Sequence, residues 1–384
     1  METTAVWDQD KQVFVINTPT LLSQKYWITN GAYHANHAVV FGQTIVNNKN
    51  EGINAFIIRL RDDKSKLCPG VTIDDMGCKQ GMNGVDNARI ILKNVEAKRE
   101  NLLNKLADVS PDGQFSSLIS NRRQRFIAAS NRLLSGRVCI ASMMISTTKL
   151  VLLIANKYAS VRLSNGKSGK SDTPISKFQL FQNQIVPLIS RTIVYNIGLH
   201  YVGAVYSDYL MNTEKYDAAQ FNNVVRLVCV IKPMVAWLGN EVGNICRERT
   251  GGQGYLSINR IEELISAAHA AITAEGDSAV LMQKVSKEYV EDFAKNLLAP
   301  PELSEPADAL RKKIEIFNIE TLMNLIKLRE SVLLETMTMK TITKKNEIYQ
   351  VWMLNESDLI QDLARTYGER ICLEQSYIKL KGTR

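Results

Sequence analysis

Paired cysteines are the first thing this chain lacks. Its six cysteines (Cys68, Cys78, Cys139, Cys229, Cys246 and Cys372) show no CxxC spacing, which argues against both a zinc site and a disulfide framework. Three of them fall in apolar helical runs, so the set reads as reduced, buried thiols. Histidines number four. His34 and His37 are spaced like ligands on one helical turn, yet they flank a strand and have no carboxylate or cysteine nearby. A structural role is expected for them, and no metal site. Long apolar runs are missing as well. Val138–Ala155 is broken by Ser146, Thr147, Thr148 and Lys149, and Ile185–Val205 carries Arg191, so neither reads as a membrane span. Met1–Lys11 is polar and mixed in charge, unlike a secretory leader. There is no internal repeat and no low-complexity segment.

What is present is ordinary in bulk. The 384 residues are 45% hydrophobic and 22% charged, enough for two or three domains and a substantial core. The net charge is +8, which suits nucleic acid, an anionic surface or a polyphosphate ligand. Arg122, Arg123 and Arg125 form the densest basic cluster. No aromatic residues interleave with them, so the cluster reads as a solvated helix face rather than a base-stacking surface. A phosphorylated coenzyme is the better fit, and no nucleic-acid partner is expected.

The most informative segment is Thr250–Val280. A glycine knot, Gly251-Gly252-Gln253-Gly254-Tyr255, precedes a lone Glu275 set before Gly276. Glycines at this density let backbone amides approach a diphosphate closely. A carboxylate among Ala271, Ile272, Thr273 and Ala274 is expected to be buried, with its pKa raised towards neutrality, as a general base requires.

Organisation along the chain gives an α+β class. Residues 1–115 hold short β-rich runs (Gln12–Ile16, Ala38–Val46, Ile53–Leu60, Val71–Ile73, Ala88–Val95) between turn signals such as Asn47-Asn48 and Pro69-Gly70. They predict an antiparallel β-barrel or sandwich. Residues 116–299 predict a four-helix bundle. Its helices are Ser117–Arg162, Ile175–Met211, Ala218–Glu248 and a segment from Glu275 to about Leu298, with kinks at Pro187 and Pro233. Residues 300–384 predict a partial helical domain, with apolar positions Ile314, Phe317, Leu322, Leu325, Ile326 and Val332. A second helix is expected over about Leu359–Leu380. This tail must pack on the bundle or on a partner.

With these motifs in order, the chain resembles the acyl-CoA oxidases, within the wider acyl-CoA dehydrogenase superfamily of flavoproteins. The likeness runs from Glu2-Thr3-Thr4-Ala5 to the final helices. Trp27-Ile28-Thr29-Asn30-Gly31 is similar to the superfamily motif in which Trp27 would pack along the flavin and Thr29 would bond its ring nitrogen. Gly77–Asn87, Asn101-Leu102-Leu103 and Val109–Gly113 are similar to the oxidase branch and read as structural loops. Arg162 matches an arginine that reaches a partner subunit's flavin diphosphate, and Gln179 a glutamine near the cofactor. Gly251, Gly252, Gln253 and Gly254 match the Gly-Gly-x-Gly loop, and Glu275 the catalytic base. Ala274 stands where an aromatic is usual, and Ser164-Asn165-Gly166 where the dehydrogenase branch has Gln-Phe-Gly.

The resemblance implies an FAD-dependent oxidase of fatty acyl-CoA. Glu275 would take the α-proton, dioxygen would be the final acceptor, and the protein would be a peroxisomal homodimer. An acyl-CoA dehydrogenase that passes electrons to a carrier protein remains open, as does a catalytically silent scaffold. Family members begin with a helical domain ahead of the sheet and continue past these last helices, so a fragment or incomplete gene model is expected. The terminal Lys-Gly-Thr-Arg matches no peroxisomal address.

Overall fold

Alternation of burial along the early strands decides which face of each one meets the core. A computed structural model describes residues 1–130, 133–307, 310 and 318–382. The chain divides into two compact units, Met1–Arg132 and Leu133–Arg384.

The first unit holds β1 (Thr4–Asp8), β2 (Val13–Asn17), β3 (Lys25–Thr29), β4 (His37–Val46), β5 (Lys49–Arg59), β6 (Val71–Asp75), β7 (Asn87–Leu92) and β8 (Val95–Lys98). They form a five-stranded sheet in the order β5-β4-β1-β2-β8 and a three-stranded sheet in the order β3-β7-β6. Phe14 and Phe56 are fully buried at its centre, with ring centroids 4.9 Å apart. Asn47 and Asn48, both at positive φ, turn β4 into β5, as a two-residue hairpin of this hand demands. The α+β class holds, and two details differ from expectation. Among the described residues no sheet closes into a barrel, and β1 pairs with β4 in parallel rather than antiparallel.

The predicted helix over Ser117–Arg162 is also corrected. Ser117 ends a short strand, Phe115–Ser117. Helical residues begin at Arg122, with α1 (Arg122–Ser130) in the sheet unit and α2 (Leu133–Val161) in the other. Arg125 is not solvated but buried. It donates to Ser117 Oγ and Ile119 O at 3.0 and 2.9 Å and to the carbonyl of Glu51, and it lies over the Phe115 ring. Cys78 and Cys139 are exposed, not buried. His34 does have a carboxylate beside it, with Nδ1 2.7 Å from Asp86 Oδ1.

The second unit is built around α4 (Ala218–Arg249), in which every residue from Val224 to Ala236 is buried. A helix apolar on all sides belongs at the centre of a bundle. Around it pack α2, α3 (Gln179–Met211), α5 (Ile261–Thr273) and α6 (Ser278–Ala294). The pattern of four helices overlooked α5. Pro187 and Pro233 lie inside helices that continue past them. By length and composition α2 and α4 could each cross a membrane. In the bundle α4 is surrounded, whereas α2 lays one face on α4 and exposes Leu150, Leu153 and Val161.

Of the tail, Ile314 and Phe317 lie outside the described residues. Helices α7 (Ile319–Thr343) and α8 (Ser357–Gly382) pack on α3, α4 and α6. Charges stitch them in. Glu330, fully buried, accepts from Tyr289 Oη at 2.7 Å and from Arg370 Nε and Nη2 at 2.6 and 3.1 Å. Arg226 on α4 pairs with Asp292 on α6, both buried. Removing one member of such a pair strands the other. Glu330→Ala is therefore expected to lower unfolding stability by about 3–5 kcal/mol in denaturant titration. A loss below about 1 kcal/mol would show that Arg370 reaches water or another acceptor.

Candidate active site

The turn between α5 and α6 is assembled from unusual backbone. Ala274 leaves the helix in an extended conformation, and Glu275 then sits at φ 57° and Gly276 at φ 109°. Glycine is the residue that tolerates the second of these at little cost. Asp277 restarts the chain as the N-cap of α6, accepting from the amides of Ala279 and Val280 at 3.0 and 3.1 Å.

The Glu275 carboxyl lies against Gly136 in the first turns of α2. A Cβ on Gly136 would fall 2.5 Å from the carboxyl carbon and Oε2 and 2.7 Å from Oε1. The next residue, Arg137, donates from Nε to the Glu275 carbonyl at 3.1 Å and from Nη1 to Cys229 Sγ at 3.3 Å. From within the bundle, Lys232 Nζ donates to Gly276 O at 2.7 Å and Ile272 O at 3.0 Å. Burial pushes its ammonium down to about 8, against the opposing charges of Asp277 and Glu275. One expectation fails here: Glu275 and Ala274 are exposed on this chain, so the carboxyl is shaped by contacts rather than by burial.

The other predicted residues lie elsewhere. α2 and α4 run parallel, because Arg137 meets Cys229 while Gly239 meets Met144 and Thr148. Their C-terminal ends therefore lie together. At that end stand Arg162, whose carbonyl accepts from Ile175 N at 2.9 Å, Gln179 at the start of α3, and the Gly251–Tyr255 turn after α4. Arg162, Gln179, Gly251, Gly252 and Gln253 are all exposed. From Lys232 to Gly251 the α-helical rise gives an axial separation of about 28 Å. So the bundle gathers the anion-binding candidates at one end and Glu275 at the other.

In the knot, Gly254 has no room, since a Cβ would lie 2.3 Å from Thr250 Oγ1 and 2.4 Å from Arg247 O. Around Gly251 and Gly252 a Cβ would meet nothing within 4 Å, so their backbone is open to a ligand from outside. That openness and the cations nearby fit a dinucleotide diphosphate.

In the sheet unit, Trp27 is exposed at φ 59° on β3, and the exposed Thr29 accepts from Asn87 Nδ2 at 3.4 Å. The loop that follows is tied down by Asp86, which accepts from the amides of Ala32 and Tyr33 at 2.6 and 3.2 Å. Arg61 holds the same loop through the carbonyls of Gly31, Ala32 and Ala35. Gly136, Arg137 and Lys232 were not singled out as site residues from the sequence. A small residue interrupting an apolar helix was the one visible signal.

These two units define an open β-sheet unit and a helical bundle carrying a carboxylate on a strained turn and an exposed glycine knot. A family model described as "Acyl-CoA oxidase, C-alpha1 domain" matches residues 131–290. Acyl-coenzyme A oxidase 3, peroxisomal, of Arabidopsis thaliana is 33% identical over 97% of this chain and 56% of its own length. The crystal structure of acyl-coA oxidase1 from Yarrowia lipolytica superposes with a TM-score of 0.88 at 24% identity, covering 100% of this chain and 59% of that one. Acyl-CoA oxidase-2 of Caenorhabditis elegans, solved with FAD, ascaroside-CoA and ATP, superposes at 0.87 with 22% identity over 99% of this chain and 58% of that one. The chain belongs to the acyl-CoA oxidase family. It spans about half the length of the relatives it matches.

The two kinds of glycine can be told apart by experiment. Gly254→Ala is expected to cost about 1–3 kcal/mol through the forced shift of Thr250 or Arg247. Gly252→Ala should melt within about 0.5 kcal/mol of the parent chain. Equal melting of both variants would contradict the geometry of the knot.

Proposed function

We propose that this chain acts as an FAD-dependent acyl-CoA oxidase, converting a fatty acyl-CoA and dioxygen to the trans-2-enoyl-CoA and hydrogen peroxide. The observation that carries the reading is the Glu275 carboxyl lodged at Gly136 on a left-handed turn held by Arg137 and Lys232. Backbone strain of this kind persists where the surrounding structure over-determines it, and it clusters at active sites.

In the helical unit, Gly251, Gly252, Gln253, Gly254, Arg162 and Gln179 would bind the cofactor, and in the sheet unit the family resemblance assigns Trp27 and Thr29 to it. When bound, FAD supplies the two-electron acceptance that these side chains lack. Glu275 removes the α-proton of the thioester. Among the described residues its own amide has no acceptor, which leaves that N–H to bind the thioester carbonyl and acidify the α-carbon. Arg162 brings a fixed positive charge and a planar fork suited to a diphosphate.

A homodimer is part of the proposal. The anion-binding end and the Glu275 end of one bundle are far apart, and Tyr255, Leu256 and Ile258 beside the knot are exposed apolar residues, so a second copy completes and covers the site. By likeness to its peroxisomal relatives, the protein would work in peroxisomal fatty-acid oxidation.

Glu275→Gln in the flavin-loaded protein is expected to lower turnover about 10³-fold with flavin content unchanged. Gly136→Ala should also cut kcat, by displacing the carboxyl, with little change in melting. Peroxide formed in air without an added acceptor checks the oxidase assignment. Turnover that requires a carrier protein would make it a dehydrogenase, and absence of bound flavin would make it a scaffold.

A further inference from the structure

A buried lysine without a carboxylate partner needs a reason, because an apolar residue of similar volume would fill the same space at lower cost. Lys232 is such a residue. It lies at the middle of α4 with no solvent exposure. All its acceptors are neutral: Gly276 O at 2.7 Å, Ile272 O at 3.0 Å and Ser278 Oγ at 3.4 Å. Ser278 Oγ also donates to Ile272 O at 2.7 Å.

These acceptors are not scattered. Ile272 O belongs to the last turn of α5, where carbonyls have no partner within the helix. Gly276 O and Ser278 Oγ stand at the entry to α6. One ammonium therefore closes the turn from both sides, with Glu275 at its apex. Charged donors hold carbonyls more strongly than neutral ones do.

The charged groups around it are few. Arg137 approaches from α2 and holds the Glu275 carbonyl, Asp277 caps α6, and Glu275 itself lies above. Lys284 and Glu288 of α6 pair with each other and influence the neighbouring Cys229. Lys232 is thus the buried cation beneath the turn, and Arg137 the outer one.

We propose that Lys232 is a positioning residue for the reaction: its ammonium fixes the Glu275–Gly276 turn and so sets where the Glu275 carboxyl stands. This rests on Glu275 being the base. Lys232 is enclosed by the fold and its three acceptors belong to the turn itself, so its effect should appear in kcat rather than in binding.

The test uses the flavin-loaded, full-length protein with Lys232→Met and Lys232→Gln, compared with Glu275→Gln. Lys232→Met should lower kcat roughly tenfold or more while KM for acyl-CoA and flavin content stay within about twofold. Lys232→Gln keeps a donor to the same carbonyls but no charge. It should show the same split between kcat and KM with a smaller fall in kcat, and it serves if Lys232→Met fails to fold. A kcat in Lys232→Gln within about twofold of the parent, whatever happens to stability, would leave Lys232 a packing residue only and overturn the inference. If Glu275→Gln is inactive while both lysine variants turn over as the parent does, this inference alone fails. Turnover retained in Glu275→Gln would overturn the base assignment, and this inference with it.

Discussion

One left-handed residue sets the geometry of the candidate site. Glu275 at φ 57° costs on the order of 1–2 kcal/mol relative to an ordinary conformation. Against that stand three charge-assisted bonds to the carbonyls around it, two from Lys232 and one from Arg137. The two part-buried bonds from Lys232 contribute about 1.5–3 kcal/mol each, and the exposed one from Arg137 contributes less. The donors outweigh the strain, so the turn is stable as built. The carboxyl is aimed at the slot that Gly136 leaves open. Without the clamp, the chain would relax to an extended path and the side chain would leave α2.

That clamp is only as good as the placement of α4 relative to α2, α5 and α6. Apolar packing alone tolerates sliding, because one buried valine resembles another. The ion pairs do not. Arg226 meets Asp292, and Glu330 meets both Tyr289 and Arg370, so a slip of one helical turn, about 5.4 Å, would leave several charges buried and alone. Such pairs add little net stability over an apolar core, but they make wrong registers expensive. Tyr289 shows how dry the cluster is: burial first, and then the Glu330 charge, push its phenol well above the usual range. The tail helices thus reach the Glu275 turn indirectly, by fixing the register in which Lys232 lies beneath Gly276.

The parts legible in the sequence were those with short-range signals. Asn47-Asn48 marks a turn, the glycine knot stands out by composition, and Glu275-Gly276 resembles the family's pattern at the right distance from it. What escaped depended on partners far along the chain. Lys232 interrupts an apolar helix and reads as a surface residue until its acceptors, 40 and 44 residues away, fold over it. Arg125 read as solvated because its partners are backbone carbonyls, which leave no mark in a sequence. The parallel pairing of β1 with β4 joins segments that no local pattern connects. Helix α5 was different, since Ile261, Leu264, Ala268 and Ala271 recur at helical spacing and two glutamates open its first turn. It is short, and it lies between two stronger local signals, the glycine knot and the Glu275-Gly276 turn.

The knot carries a last distinction that a motif conceals. Its glycines are alike in sequence and different in physics. Gly254 is required by the chain's own interior, where Thr250 and Arg247 fill the space a side chain would take. Gly251 and Gly252 face open space, so nothing in the isolated fold demands that Gly252 lack a side chain, and Gly251 is constrained only by its positive φ. A glycine that its own structure does not need is a cost in chain entropy. The proposed cofactor and second copy would restore the balance by approaching that backbone closely, the anion meeting the exposed Arg162 and Gln179 at the same end and the copy covering the apolar Tyr255 and Ile258.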